Sequence, residues 1–129
     1  MARILIIDDD RDLRTVMRVV LEGEGHTVHE GENGVDGIGL IDALRPDIVF
    51  LDLSMPVMSG AELLAELTRR SDQRTVRIVA MSGRRTPVAP TQTFLLKPIS
   101  ATLLTAVVRD LCGGASRPPS GPKHSIRPA

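Results

Sequence analysis

The chain has 129 residues, with 16 Lys and Arg against 16 Asp and Glu, so its formal net charge is zero. That length suits one domain, and a composition of 42% hydrophobic and 25% charged residues is that of a globular chain. The only aromatics are Phe50 and Phe94, and the only cysteine is Cys112. This excludes base-stacking platforms, a basic footprint for nucleic acid, a disulfide framework and a thiolate zinc cluster. No apolar run nears the ~18 residues of a membrane span. The first run, Ile4–Ile7, stops on Asp8 too early for a signal peptide. The expectation is a soluble, cytoplasmic protein without direct nucleic-acid or membrane partners.

The elements follow one another as strand and helix. Arg3–Ile7 is a short β-branched run, the pattern of a strand buried on both faces. Leu13, Val16, Met17 and Val20 recur at helical spacing until Gly23 and Gly25, with Asp10 and Asp12 at the helix start, where the dipole favours acids. His26–Glu30 reads as a weak second strand. Val35, Ile38, Ile41 and Leu44 mark a second helix, weakened by Gly37 and Gly39 and ended by Pro46. Asp47–Leu51 is a third strand. Ser59 to Glu62 matches a capping box ahead of Leu63, Leu64 and Leu67. Arg77–Met81 and Thr93–Leu96 are the fourth and fifth strands. Ser100 caps a last helix carrying Leu103, Leu104, Val107 and Leu111, closed by Gly113.

This alternation predicts an α/β fold with a five-stranded, doubly wound parallel sheet of flavodoxin-like order 2-1-3-4-5. Residues 1–112 form the expected domain. Residues 113–129 read as a disordered tail or linker stub, in which Gly, Pro and Ser supply ten of seventeen positions. The zero net charge is a sum of unlike parts. The tail carries Arg117, Lys123 and Arg127 and no acid, leaving 13 basic and 16 acidic groups in residues 1–112.

Ligands of such sheets bind at the carboxyl ends of the strands, where the strand order reverses. The residues there are Asp8 and Asp9 after the first strand, Asp52 after the third, Ser82 after the fourth, and Lys97-Pro98 after the fifth. Carboxylates from neighbouring strands 1 and 3 repel unless a cation joins them, and hard oxygen ligands suit Mg²⁺ (or Mn²⁺). Lys97 adds a phosphate-seeking donor in a chain that otherwise favours arginine, with fourteen Arg to two Lys. Acids, divalent cation, hydroxyl and lysine together suit the stabilisation of a transferring phosphoryl group.

The segments ILIIDD, DIVFLDLSMPVMSG, IVAMSG and FLLKP, in that order over residues 3–112, resemble the response-regulator receiver domains of two-component signalling, of the single-domain chemotaxis-regulator type. The resemblance implies that Asp52 is the phosphoacceptor, taking its phosphoryl group from a sensor histidine kinase or histidine phosphotransfer protein. It implies Mg²⁺ held by Asp9, Asp52 and the backbone carbonyl of Ser54, with Asp8 acting through water. Lys97 and Ser82 would bind the phosphoryl oxygens, Ser82 and Phe94 would form the switch, and Pro98 would follow a cis peptide. Such a protein is not a conventional enzyme. It takes part in its own phosphorylation and slow autodephosphorylation and signals by contact with an output protein.

One departure from the pattern concerns Ser82 to Lys97, a span of only 15 residues. Gly83–Gln92 holds Pro87 and Pro90, which interrupt helical hydrogen bonding. Ten extended residues reach about 33 Å, enough to go back along a five-residue strand of about 17 Å. The expectation is a parallel fifth strand with the fourth helix missing or reduced to one turn. That would alter the usual output face and leave room for a homodimer through an atypical one. Two other readings stay open: a pseudo-receiver whose acidic site is uncoupled from phosphorylation, and a phosphatase of the haloacid-dehalogenase type using Asp8 and Asp10. Asp12 stands where the latter expects Thr or Val.

Overall fold

The computed structural model describes residues 1–55, 62–63, 65–66, 76–85 and 93–113. Five strands, β1 (Arg3–Ile7), β2 (Thr27–Gly31), β3 (Ile48–Asp52), β4 (Arg77–Ser82) and β5 (Thr93–Leu96), form one sheet in the order β2-β1-β3-β4-β5. All four pairings are parallel. The helices with described bounds are α1 (Arg11–Gly23), α2 (Gly34–Leu44) and α3 (Ala101–Gly113). Residues 62–63 and 65–66 are also helical. The flavodoxin-like architecture expected from the alternation of elements is therefore present. A hairpin between β4 and β5 is excluded, because Val79 pairs with Thr93 and Ser82 with Leu96 in parallel register.

The side-chain alternation of the strands sorts the core into two layers. Ile4, Ile6, Phe50, Val79, Met81 and Leu95 meet Met17 and Leu21 of α1 and Leu104, Val107 and Val108 of α3. Leu5, Ile7, Val49, Leu51, Ala80 and Phe94 face the other way, toward Ile41 of α2 and Leu63. β1 and β3 lie between neighbours on both sides, and Ile48–Asp52 is buried along its whole length. The cap expected at Ser100 is formed, and Asp10, expected only as an acid at the helix start, caps α1. Asp10 accepts from the Asp12 and Leu13 amides at 3.0 and 3.2 Å, and Ser100 Oγ accepts from the Leu103 amide at 3.0 Å.

Some details differ from the sequence reading. β2 starts at Thr27 rather than His26, because Arg3 pairs with Thr27 and the His26 ring instead accepts the Ala2 amide at Nδ1, 3.0 Å away. β3 and β4 each reach one residue further, so Asp52 and Ser82 belong to their strands. Val16 was expected on the inner face of α1 but is 58% exposed, and Arg14 is turned inward instead. In α2 the buried line is Gly34, Gly37 and Ile41, and Val35 points to solvent. The reason is close approach: a Cβ on Gly37 would stand 2.6 Å from Ile7 Cδ1. The glycine that looked like a weakness of α2 is where the helix crosses β1. The capping box before Leu63, the reduced helix between Gly83 and Gln92 and the tail beyond Gly113 lie wholly or mostly outside the described residues.

Candidate functional site

The parallel register that pairs Ile7 with Leu51 carries Asp8 and Asp52 to the same end of the sheet. Both continue the parity of Ile6 and Phe50, so they leave the strands on one side. Asp8 is fully buried and Asp52 is 2% exposed, while Asp9, the next residue on the connection to α1, is exposed. One carboxylate oxygen from each of Asp8, Asp9 and Asp52 lies within 4.8 Å of the others.

Lys97 enters from β5. Its amide donates to the Ser82 carbonyl at 2.7 Å, and the Lys97-Pro98 peptide is cis, as expected. Its ammonium donates to Asp8 Oδ2 at 2.8 Å and stands 3.5 Å from Asp52 Oδ2. The ammonium thus pairs with two of the three clustered carboxylates. Burial pushes the Asp8 carboxyl above its ordinary range, and the Asp52 charge adds to this; hydrogen bonds from Lys97 and the Asp10 amide oppose it. For Lys97, burial works to lower the pKa but is outweighed by the hydrogen bond and charge of Asp8 and by Asp52, so the net direction is upward. Both shifts mean that the site holds on to positive charge. Hard carboxylate oxygens, in excess over cations and close together, fit a divalent cation of the Mg²⁺ kind.

Asp52 is also held from the other side. Ser54 donates from its amide and its hydroxyl to Asp52 Oδ1, at 3.1 and 3.2 Å. These bonds come in addition to the carbonyl role that the family resemblance implies for Ser54, and a hydroxyl two residues after a strand-end carboxylate is the signal for this turn. Ser82 is 2% exposed at the end of β4, and its Oγ accepts the Arg84 amide at 3.2 Å. Phe94 pairs with Ala80, two residues before Ser82, so Phe94 and Ser82 share a sheet face. Phe94 is buried beside Ala80 in the apolar layer on that face of the sheet. Asp10, which the phosphatase reading would pair with Asp8, is instead the cap of α1. Sequence reasoning missed Arg14, which is buried beneath the acidic pair and donates to the Asp8 carbonyl at 2.6 Å.

The chain is similar to known proteins in sequence and in fold. Residues 4–109 match the model of the response regulator receiver domain family. The chemotaxis protein CheY of Listeria monocytogenes is 32% identical over 107 residues, covering 78% of this chain and 90% of that protein. Protein PilH of Pseudomonas aeruginosa is 28% identical over 124 residues, covering 88% of this chain and all of PilH (100%). Among solved structures, the chemotaxis protein CheY4 of Vibrio cholerae superposes with a TM-score of 0.77 at 22% identity, covering 86% of this chain and 98% of its own, a likeness of fold. With the acidic cluster at the carboxyl ends of β1 and β3 and the family match over most of its length, the chain belongs to the response regulator receiver domains.

Proposed function

We propose that the chain is a phosphoacceptor of two-component signalling. A carboxylate oxygen of Asp52 attacks the phosphorus of a phosphohistidine on a sensor kinase or histidine phosphotransfer protein. The P–O bond forms as the P–N bond breaks, the imidazole leaves with the electron pair, and Asp52 becomes an aspartyl phosphate. The observation that carries this reading is the position of Asp52: nearly buried, beside Asp8 and Asp9, with the Lys97 ammonium 3.5 Å from Oδ2.

Each surrounding group has a part in that transfer. Asp8, Asp9, Asp52 and the Ser54 carbonyl are the residues to hold Mg²⁺, which when bound neutralises charge on the transferring group. Lys97 is tethered to Asp8 and keeps its proton, so it can turn to a phosphoryl oxygen as a donor already in place. Ser54 orients the acceptor carboxylate through Oδ1. Ser82 is the second phosphoryl donor, and its shared face with Phe94 makes that pair the route from the site to the β4–β5 side of the sheet. Residues 1–112 act as the signalling unit, with output by protein contact.

Incubation with Mg²⁺ and acetyl phosphate tests this. The wild-type chain should take up one alkali-labile, hydroxylamine-released phosphoryl group, and Asp52→Asn should take up none. Undiminished label on the Asp52→Asn protein, or label resistant to hydroxylamine, would overturn the assignment. Sustained turnover of small phosphomonoesters would point to a phosphatase instead.

A further inference from the structure

Arg14 sits one turn into α1 and is 7% exposed, an unusual place for a charged side chain. Its Nη1 donates to the carbonyl oxygen of Asp8 at 2.6 Å, and its Nε donates to Glu30 Oε1 on β2 at 2.8 Å. Glu30 is itself braced, since Arg18 Nε stands 3.1 Å from its other oxygen. The guanidinium is therefore fixed at both ends, between β2 and the turn that follows β1.

That turn bears the metal-site acids. The Asp8 amide makes the last bond to β2, donating to the Gly31 carbonyl at 3.2 Å, and the Asp10 amide turns back to Asp8 Oδ1 at 2.9 Å. Between these two bonds lies the Asp8–Asp9 peptide, whose plane decides the direction in which each acidic side chain leaves the chain. The Asp8 carbonyl in that plane is the atom Arg14 holds.

We infer that Arg14 is a positioning residue for the cation site: by pinning the Asp8–Asp9 peptide it aims both carboxylates at the point they share with Asp52. This rests on the reading of that cluster as a Mg²⁺ site. It explains why a cation is tolerated under an acidic cluster meant for another cation. Arg14 points at a carbonyl, not at a carboxylate of the trio, so it orders the ligands without occupying their oxygens.

The sign of one measurement separates positioning from charge and from plain stability. Arg14→Met keeps the apolar stem and removes the donors together with a positive charge. Charge alone would make Mg²⁺ bind more tightly once a nearby cation is gone. A purely structural staple would lower the melting temperature and leave the affinity of the folded protein unchanged. Loss of ligand positioning weakens binding, by roughly tenfold for residues that orient metal ligands. Calorimetric titration with Mg²⁺, which needs no aromatic reporter, should therefore give weaker binding for Arg14→Met. Arg14→Lys, with a single ammonium that cannot span the carbonyl and Glu30 together, should fall between it and wild type. If Arg14→Met does not fold, Arg14→Lys carries the test. Affinity equal to or tighter than wild type in the folded variants overturns the role of Arg14 and leaves the Mg²⁺ reading standing. Absence of Mg²⁺ binding by the wild-type chain overturns both.

Discussion

At the scale of single residues, a proton at the far end of the sheet is readable from its partners. His26 Nδ1 accepts the Ala2 amide at 3.0 Å, which requires that nitrogen to be unprotonated. Burial lowers the pKa of the ring below its ordinary 6.5, the positive chain terminus lowers it further, and Glu24 pulls it part of the way back. The folded chain thus binds a proton at His26 less readily than the unfolded chain does. The contribution of His26 to stability is complete above its unfolded pKa and is lost as pH falls through the folded one. Between about pH 7.5 and about pH 5.5 the melting temperature should fall more in wild type than in His26→Asn, whose amide oxygen can accept the same bond without titrating. Parallel declines in the two proteins would assign the acid sensitivity to other groups.

At the scale of elements, the interior of α2 holds two glycines, Gly37 and Gly39, that its sequence does not distinguish. Gly37 faces β1, where a Cβ would meet Ile7 Cδ1 at 2.6 Å and Leu63 Cδ2 at 3.0 Å; Gly39 has nothing within 4 Å of its Cβ position. Alanine in the middle of a helix gains about 0.5–1 kcal/mol over glycine. At Gly39 nothing opposes that gain, so Gly39→Ala should raise the unfolding free energy by that amount. At Gly37 the methyl must displace a fully buried Ile7, and overpacking of this kind costs roughly 1–3 kcal/mol. Gly37→Ala should therefore be destabilising in denaturant titration. Equal gains at both positions would mean that Ile7 can step aside. The same helix shows a limit of pattern reading. Val35, Ile38, Ile41 and Leu44 make a regular apolar line, yet the true inner line runs through Gly34, Gly37 and Ile41. Hydrophobicity marks the residues that pack by size, and glycine packs by lacking it.

At the scale of the whole molecule, what was legible depended on whether a residue's chemistry and its environment agreed. Strands show themselves as β-branched runs, and their ends are marked by an abrupt change to Asp8, Asp52, Ser82 and Lys97; parallel order then brings these together. Arg14 was illegible for the opposite reason, since an arginine in an amphipathic helix reads as solvent face until its acceptors on β2 and the β1 turn are placed. The connection from β4 to β5 was legible as length and direction only. The sheet gathers three carboxylates at one end, two of them paired with the Lys97 ammonium, over a core that is apolar on both faces. On the proposed function, stability and function oppose one another at this site, and a cation bound only by the folded chain would link them. At a Mg²⁺ concentration about ten times its dissociation constant, the fold should gain about 1.4 kcal/mol, or roughly 5 °C in melting temperature for a domain of this size. Asp9→Asn separates the two terms, because Asp9 is exposed and its charge belongs to the repelling trio. That variant should melt no lower than wild type without metal and should lose most of the Mg²⁺-dependent rise. A full rise in Asp9→Asn would move the cation away from the Asp8–Asp9 turn, and a lower melting temperature without metal would show that the carboxylate is held by attraction rather than by the need for a cation.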